Sequence, residues 1–360
     1  MKGCLKQNLL NMLKINLNLG SFLNSQIVRR VSNTSSLFHT PKIMGNWSAV
    51  PSYKGNNLFI KSLQNQSENY CSSTQKTLDS EQTHFGYETV SKEEKTERVH
   101  SVFENVAEKY DLMNDVMSGG IHRLWKDYFV DRLHPTVNIK LLDVAGGTGD
   151  ITFRVLQYIR NELGETSNYP VDESSKLLNY EKDIYSDDKV KEEDRKKCKV
   201  TVCDLSESML SVGRERALTL GYNEDIDWVC GNAQELPFPD DTFDAYTIAY
   251  GMRNVADIPK ALSEAYRVLK PGGRFMCLEF SLVENSLIRS VYDLYSFQLI
   301  PVMGQIIAAD WDSYQYLVES IRKFPDQETY KLMIEEAGFR NVLYENLTFG
   351  VTAIHSGFKI

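Results

Sequence analysis

From residue 140 onward, short apolar runs alternate with longer amphipathic stretches. The runs have the length of buried strands, and the stretches between them have the period of helices. Parallel strands need a crossover connection, so this alternation predicts a mostly parallel sheet with helices on both faces. The predicted strands are residues 140–145, 199–203, 227–230, 244–250 and 274–280, and the predicted helices are 149–162, 206–220 and 257–269.

The C-terminal part of the sequence extends this pattern. Residues 326–339, "DQETYKLMIEEAGF", predict a helix, and two strand-like runs follow it, "NVLYENLT" and "VTAIHSGFKI". The two runs are close enough for an antiparallel hairpin that closes the sheet edge. The predicted fold class is therefore α/β and Rossmann-like, with a mostly parallel seven-stranded sheet that ends in an antiparallel hairpin.

Charge is unevenly distributed along the chain. The first acidic residue is Glu68, and eight Lys or Arg precede it. An acid-free start rich in Leu, Ser and Asn predicts a mitochondrial transit peptide over residues 1–44, the alternative being a disordered tail. Residues 45–82 predict a polar linker, and residues 83–360 predict one folded domain. Within that domain, the charged residues 160–199 predict an insertion between a helix and a strand.

Composition and charge limit the kinds of partner and cofactor that we expect. The whole chain carries a net charge of −9 despite its basic start, and binding to nucleic acid needs a basic face, so no nucleic-acid partner is predicted. No stretch is apolar enough for a transmembrane helix. The six cysteines and six histidines lack metal-ligand spacing, so no metal is predicted. Cys203, Cys230 and Cys277 lie in strand-like runs and are interpreted as reduced core thiols.

An amphipathic helix is predicted ahead of the sheet, over residues 92–112, "KEEKTERVHSVFENVAEKYDL". Val99, Phe103, Val106 and Tyr110 recur at helical spacing and therefore share one face. This pattern places Tyr110 on the inner side of the helix. The residue is either part of the core or part of a site.

A glycine turn follows the first strand of the alternating part, in "KLLDVAGGTGDI" at residues 140–151. Gly146, Gly147 and Gly149 do not have the spacing of a dinucleotide-binding turn, and no lysine follows them as it would in a phosphate loop. Asp150 stands where the helix N-terminus would meet a phosphate, which its carboxylate would repel. The pattern therefore disfavours a phosphate-containing ligand.

S-adenosylmethionine suits this turn better, because it carries a sulfonium, an ammonium and a carboxylate but no phosphate. Gly146 and Gly147 would let its methionine part lie against the backbone. Asp143, at the strand end, would face its ammonium, and Thr148 offers a hydroxyl and an amide. The alternative is a tight strand–helix turn that binds no ligand.

Two further contacts with this cofactor are expected at the ends of the next strands. Asp204 follows the strand at 199–203, where an acid can accept the ribose hydroxyls. Alternatively, Asp204 or Ser206 only caps a helix. Asn232 and Ala233 follow the strand at 227–230, where the adenine is expected, although Asn in a loop is commonly a turn residue.

Several segments resemble the ubiquinone/menaquinone biosynthesis C-methyltransferase family. They are "YDLMNDVMSGGIHRLW" (110–125), "DVAGGTGD" (143–150), "YGMRNV" (250–255), "RVLKPGGRFMCLEFS" (267–281) and "YQYLVESIRKFPDQE" (314–328). The resemblance runs from about Thr83 to Ile360 and implies a class I S-adenosylmethionine-dependent methyltransferase fold. It also implies that the cofactor contacts are Thr148, Asp204, Asn232 and Ala233.

The resemblance further implies a substrate and a location. The substrate would be a prenylated methoxy-benzoquinol ring, methylated on carbon during ubiquinone synthesis. The enzyme would be a peripheral protein on the matrix side of the mitochondrial inner membrane, bound to other subunits of a coenzyme Q synthesis complex. A homodimer is a further possible assembly.

Methylation of a ring carbon needs a phenolate, which pushes charge onto that carbon. A phenol has a pKa of about 10, so the site must favour the anion. Arg253 can do this because it stays protonated, while Asn254 and Tyr110 can orient the ring oxygen or a bridging water. Alternatively, Arg253 caps a helix or pairs with a surface acid. Glu279 is either a second base or a buried structural carboxylate.

The apolar segment "SFQLIPVMGQIIAA", at residues 296–309, predicts a lining for a polyprenyl tail or a membrane contact. A core helix and an oligomer interface are the alternatives. Two other classes of function also fit parts of the sequence. One is a structural subunit that keeps the cofactor fold, and the other is a nicotinamide-dependent oxidoreductase, which the glycine spacing disfavours.

Overall fold

The computed structural model describes residues 82–106, 110–164 and 199–360, without the side chains of residues 105, 106, 110 and 308. The chain divides into two units, Met1–Gln82 and Thr83–Ile360, and the second contains nearly all described residues. The transit peptide predicted at 1–44, nearly all of the linker at 45–82 and most of the insertion at 160–199 lie outside the described residues and stay predictions.

One seven-stranded sheet forms the centre of the described domain. A small hairpin of β1 Gln82–Phe85 and β2 Glu88–Ser91 precedes it. The sheet strands are β3 Lys140–Val144, β4 Lys199–Asp204, β5 Ile226–Cys230, β6 Phe243–Ala249, β7 Leu269–Phe280, β8 Arg340–Leu347 and β9 Thr352–Phe358.

The strands lie in the order β5-β4-β3-β6-β7-β9-β8. The first five of that order are parallel, and β9 is antiparallel to both β7 and β8. The predicted fold class is therefore confirmed. The hairpin differs from the prediction in one detail, because its second strand, β9, is inserted inside the sheet and its first strand, β8, forms the edge.

Ten α-helices occur in the described residues. They are α1 Lys92–Val106, α2 Tyr110–Ser118, α3 Ile121–Leu133, α4 Asp150–Glu162, α5 Glu207–Leu220, α6 Ile258–Val268, α7 Ser286–Gln298, α8 Ile300–Ala308, α9 Trp311–Lys323 and α10 Gln327–Glu336. The helices predicted at 149–162, 206–220, 257–269 and 326–339 are confirmed, with shifts of a few residues at their ends.

The helix predicted over residues 92–112 is helical wherever the structure describes it. Its first part is α1 Lys92–Val106 and its last part is the start of α2 Tyr110–Ser118, while residues 107–109 lie outside the described residues. The apolar segment 296–309 is divided between two helices, because α7 ends at Gln298 and α8 begins at Ile300 with Pro301 in its first turn, where proline is well tolerated.

Apolar side chains cover both faces of the sheet. On β3, Leu141 packs into the cluster with α3 and α4, while Leu142 packs into the cluster with α6 and α10, and both are fully buried. Met276 and Phe275 alternate in the same way on β7. Burial on both faces is typical of parallel strands covered by crossover helices. Each such side chain contributes about 1.5–3 kcal/mol of transfer free energy.

The thiols only partly follow the prediction. Cys203 and Cys277 are buried and free, whereas Cys230 is exposed, because it ends β5 at the edge of the sheet. The interpretation of Cys230 as a core thiol is therefore wrong. Among the described residues, no cluster of His, Cys, Asp or Glu could hold a metal ion. Within the same residues, no helix has the length and apolar character needed to cross a bilayer.

Candidate active site

The glycine turn connects β3 to α4 at the carboxyl edge of the sheet. Gly147 has a φ of 52°, in the left-handed region that favours glycine. Gly146 instead needs space, since a Cβ at this position would lie 2.7 Å from Val202 Cγ1. Side chains are therefore excluded at both positions, and a ligand can approach the bare backbone of the turn.

Asp204 ties the end of β4 to this turn. Its carboxylate accepts hydrogen bonds from Gly147 N at 2.9 Å and from Ser206 N at 2.8 Å. Burial raises the pKa of Asp204, and these backbone donors only partly offset that rise. Ser206, not Asp204, caps helix α5, because the Ser206 hydroxyl accepts from Met209 N at 3.3 Å. The capping alternative thus applies to Ser206 alone.

Asn232 and Ala233 follow β5 at the same edge of the sheet. Asn232 Oδ1 accepts from Gln234 N at 2.9 Å, so this residue does shape the turn, as the alternative interpretation held. The NH2 group of its side chain can donate a hydrogen bond to the edge of a base. Ala233 is partly buried against the core cluster on one face of the sheet.

Two of the predicted cofactor residues are engaged with other side chains. The Thr148 hydroxyl accepts from the Arg216 guanidinium at 3.0 Å. Asp143 is 1% exposed and accepts from Thr152 Oγ1 at 2.8 Å and Thr247 Oγ1 at 2.9 Å. Burial raises the pKa of Asp143 to about 6. Asp143 thus braces β3 against α4 and β6, and its contact with an ammonium group stays a prediction.

All seven residues predicted to contact the cofactor line a single cavity of about 1030 Å³, counted with its open mouth. We call it the cofactor cavity. It lies at the carboxyl ends of the parallel strands, where ligands bind in open α/β sheets. The seven residues are Asp143, Gly146, Gly147, Thr148, Asp204, Asn232 and Ala233.

Charge in the cofactor cavity favours a cationic ligand. Asp143, Asp150 and Asp204 line it, and of the described lining residues Lys126 alone is a cation. Burial would raise the pKa of Asp150, but Lys126 and Arg154 hold it well below its usual range. Three carboxylates around one ammonium suit the sulfonium and ammonium of S-adenosylmethionine and would repel a diphosphate. The residues present therefore fit this cofactor.

A second cavity, of about 1040 Å³ with its mouth, adjoins the first. We call it the aromatic cavity, because its walls include Phe103, Trp125, Phe280, Tyr292, Tyr295, Tyr314 and Tyr316. Phe103, Lys126, Tyr250 and Asn254 line both cavities. A ligand in one cavity can therefore contact a ligand in the other at this junction.

Arg253 lies in the aromatic cavity on the short 3-10 turn Met252–Asn254, directly after β6. Tyr250 turns the chain there with a φ of 58°. The Arg253 guanidinium donates to Glu279 Oε1 at 2.9 Å, and the two side chains are 6% and 1% exposed. Arg253 thus pairs with a buried acid, and Glu279 is fixed as its partner rather than left free as a base.

Asn254 is held by residues that the sequence analysis missed. Tyr316 donates its hydroxyl to Asn254 Oδ1 at 3.1 Å. Lys95 donates to the carbonyls of Arg253 and Val255, at 3.3 and 2.9 Å, and so fixes the backbone of the turn. Burial lowers the pKa of Lys95 to about 8. Lys95 precedes Val99 by one helical turn and shares its inner face, a signal that the sequence does contain.

Three other residues at or near the aromatic cavity have less direct roles. Tyr110 begins α2, but its side chain lies outside the described part of the structure, so its role stays a prediction. His122 lines the aromatic cavity, with Nδ1 2.8 Å from Ser118 Oγ, and burial lowers its pKa to about 3. The Trp125 indole donates to Thr348 Oγ1 at 2.8 Å, which fixes this wall.

The sheet order, the glycine turn and the acid at the end of β4 define a class I S-adenosylmethionine-dependent methyltransferase. The model of the ubiE/COQ5 methyltransferase family matches residues 88–359. The chain belongs to this family.

Two relatives carry the same name, "2-methoxy-6-polyprenyl-1,4-benzoquinol methylase, mitochondrial". The protein from Xenopus laevis is 54% identical over 285 residues, with 78% of this chain and 90% of the relative covered. The protein from Homo sapiens is 56% identical over 279 residues, with 78% and 85% covered. A solved structure of a Thermotoga maritima methyltransferase is described as a possible histamine N-methyltransferase. Its alignment with this chain has a TM-score of 0.45 at 17% identity, and it includes 73% of this chain and 100% of the other.

Proposed function

We propose that this chain transfers a methyl group from S-adenosylmethionine to a ring carbon of a prenylated methoxy-benzoquinol in ubiquinone synthesis. The observation that carries this proposal is that the cofactor cavity and the aromatic cavity share part of their lining, with Asn254 lining both. Aromatic walls suit a flat ring with an apolar tail. The names of relatives that are more than half identical to this chain support the same substrate.

Arg253 is proposed to favour the phenolate form of the substrate. Its charge is permanent, and the buried carboxylate of Glu279 fixes its direction. In a cavity whose walls are mostly aromatic and apolar, a fixed positive charge lowers the cost of ionising a ring hydroxyl. The NH2 group of Asn254, whose oxygen already accepts from Tyr316, is proposed to donate to the ring oxygen. Tyr110 is proposed to orient the same oxygen or a bridging water.

The cofactor, when bound, supplies a methyl group that its sulfonium makes electrophilic. The phenolate pushes electron density onto a ring carbon, and that carbon forms the new bond to the methyl group as the methyl–sulfur bond breaks with its electrons on sulfur. Transfer of the proton from the same carbon to solvent water restores the aromatic ring, so that one proton is released for each methyl group transferred. Holding the two reactants at the junction of the cavities supplies much of the rate, through proximity.

Cofactor contacts are proposed along the edge of the sheet. The backbone at Gly146, Gly147 and Thr148 would hold the methionine part, with Asp143 behind it. The two oxygens of Asp204 would accept hydrogen bonds from the ribose hydroxyls. Asn232 and Ala233 would contact the adenine. Strand order supports this arrangement, because β3, β4 and β5 are successive neighbours and end at this edge.

A mitochondrial location is proposed on the names of the relatives and on the basic, acid-free residues 1–44. We place the enzyme on the matrix side of the inner membrane. Helix α7 carries three exposed apolar residues at helical spacing, Leu287, Val291 and Leu294. The adjacent side of this helix contributes Tyr292 and Tyr295 to the aromatic cavity. We propose that this exposed face rests on the bilayer, where a polyprenyl tail would be found.

Vesicles of phosphatidylcholine and cardiolipin test the membrane contact. Wild-type protein is expected to sediment with them, and the variant with Leu287→Glu and Val291→Glu is expected to stay in solution. Leu218→Glu, at an exposed apolar position of α5, is the control. A change of oligomeric state in the double variant, with vesicle binding intact, would instead assign the face to the proposed homodimer or to another subunit of the synthesis complex.

Transfer of labelled methyl to a short-chain prenyl methoxy-benzoquinol tests the catalytic proposal. Wild-type protein is expected to transfer label, and Arg253→Ala is expected to lose most turnover. Arg160→Ala is the control, because the ion pair of Arg160 with Asp225 lies outside both cavities. This variant is expected to keep its turnover. A wild-type protein that binds S-adenosylhomocysteine but transfers nothing would support the structural-subunit alternative.

A further inference from the structure

Lys126 stands at the junction of the two cavities. It belongs to α3, is 6% exposed and lines both the cofactor cavity and the aromatic cavity. Its Nζ atom lies 2.7 Å from Asp150 Oδ2. Fully buried lysines are rare unless they are paired, and a lysine beside a cationic cofactor needs a reason. No motif of the sequence analysis pointed to it.

The methionine end of the cofactor has to lie close to this residue. The proposed ribose and adenine contacts are at the ends of β4 and β5, and β3 is the next strand inward. A ligand held at those points therefore extends its amino-acid end toward the turn after β3 and the start of α4. Asp150 is the first residue of α4, and its carboxylate would repel the carboxylate of the cofactor there unless a cation lies between them.

The amino-acid end carries a carboxylate, which needs a cation or several hydrogen-bond donors once it is out of water. Among the described residues that line the cofactor cavity, Lys126 is the one positive charge. It can turn to a ligand without leaving Asp150 alone, because Arg154 Nε lies 3.4 Å from Asp150 Oδ1 on the adjacent turn of α4. The Lys126 ammonium would thus pair with Asp150 in the free enzyme and with the carboxylate of the cofactor in the bound enzyme.

We propose that Lys126 binds the carboxylate of the methionine part of S-adenosylmethionine and so sets the direction in which the methyl group points. The proposal rests on the cofactor of the proposed function and adds a residue to its site. It makes the enzyme selective for a cofactor that keeps its carboxylate. Lys126 and the ribose contact at Asp204 would then fix the cofactor at two separated points.

Decarboxylated S-adenosylmethionine provides the matched probe, because it lacks the carboxylate alone. Wild-type protein is expected to bind S-adenosylmethionine at least tenfold more tightly than the decarboxylated compound in calorimetric titrations. Lys126→Met is expected to weaken binding of S-adenosylmethionine about ten- to a hundredfold and to leave the decarboxylated compound within about twofold, as for a lost charged hydrogen bond. Lys126→Arg is expected to keep most of the preference.

Equal weakening of both compounds in Lys126→Met would overturn the proposal and show a purely structural role through Asp150. If that variant does not fold, the double variant with Asp150→Asn removes both charges together and is titrated in its place. Wild-type protein that binds both compounds equally would reject the role of Lys126 while leaving the proposed function intact. Wild-type protein that binds neither would instead reject the cofactor itself.

Discussion

Arg253 and Glu279 form a two-point contact that joins the turn after β6 to the end of β7. The Arg253 guanidinium donates to Glu279 Oε1 at 2.9 Å, and the Arg253 backbone N–H donates to Oε2 at 3.2 Å. The contact aims the guanidinium at the aromatic cavity. Since both side chains are buried, removing either partner leaves an uncompensated charge in the interior.

This pair predicts that stability and activity can be separated. Arg253→Met is expected to lower the free energy of unfolding by about 3–5 kcal/mol, because Glu279 is left unpaired. The double variant with Glu279→Gln is expected to recover more than half of that loss and yet remain without turnover. Urea unfolding and initial rates of methyl transfer on the same preparations check both values. Recovery of turnover in the double variant would contradict this prediction and show that the role of Arg253 is structural.

Tyr316 is predicted to position Asn254. Tyr316→Phe removes the hydroxyl that donates to Asn254 Oδ1 and is expected to lower kcat/KM about fivefold, the equivalent of one hydrogen bond of about 1 kcal/mol. The Kd for S-adenosylhomocysteine should stay the same, because Tyr316 lines the aromatic cavity and not the cofactor cavity. Tyr344→Phe on β8 is the matched control. A similar loss in both variants would contradict the positioning role.

Lys95 is predicted to give stability a specific dependence on pH. Burial lowers its pKa to about 8, below the value of about 10.4 in an unfolded chain. Between these values the unfolded state binds more protons than the folded state, so the contribution of Lys95 to stability rises with pH. Relative to Lys95→Met, wild-type protein should gain up to about 3 kcal/mol from pH 7 to pH 10.

Urea unfolding of both proteins across that range measures this difference. Lys199→Met, at an exposed position of β4, controls for the loss of a lysine as such. A difference between wild type and Lys95→Met that is flat or falls with pH would contradict the burial of a charged Lys95 against the turn.

Gly146→Ala is predicted to damage cofactor binding through lack of space. The new Cβ would lie 2.7 Å from Val202 Cγ1 and 3.0 Å from Asp143 Oδ2, so the turn has to shift. We expect binding of S-adenosylhomocysteine to weaken at least about tenfold, the equivalent of about 1.4 kcal/mol. Adding Val202→Ala removes the closest clash and should recover part of the affinity. Unchanged affinity in Gly146→Ala would place the ligand away from this turn.

Most of the fold could be predicted from the sequence, because its strands are continuous apolar runs and its crossover helices are amphipathic. Four of the five parallel strands lie within one residue of the predicted ones, while β7 begins at Leu269, five residues before the predicted start. The exposure of Cys230 depends on β5 lying at the sheet edge, and local sequence does not contain the order of strands.

That Thr148, Asp204 and Asn232 line one cavity could be predicted, because they lie at or soon after the carboxyl ends of parallel strands, which share one edge. The contacts between side chains around the two cavities were not predictable. Tyr316 and Asn254 are 62 positions apart, and Lys126 meets Asp150 only because α3 packs beside α4. Such pairings are set by the packing of helices and have no local sequence pattern.

The position of the transferred methyl group tests the central claim most directly. The protein is incubated with S-adenosylmethionine labelled with ¹³C at the methyl carbon and with a short-chain prenyl methoxy-benzoquinol, and the product is analysed by NMR. Because the two cavities meet at Asn254, we expect the label on a ring carbon with wild-type protein. With Arg253→Met we expect no labelled product. Label on a ring oxygen, or label on carbon at an unchanged rate in Arg253→Met, would contradict the account.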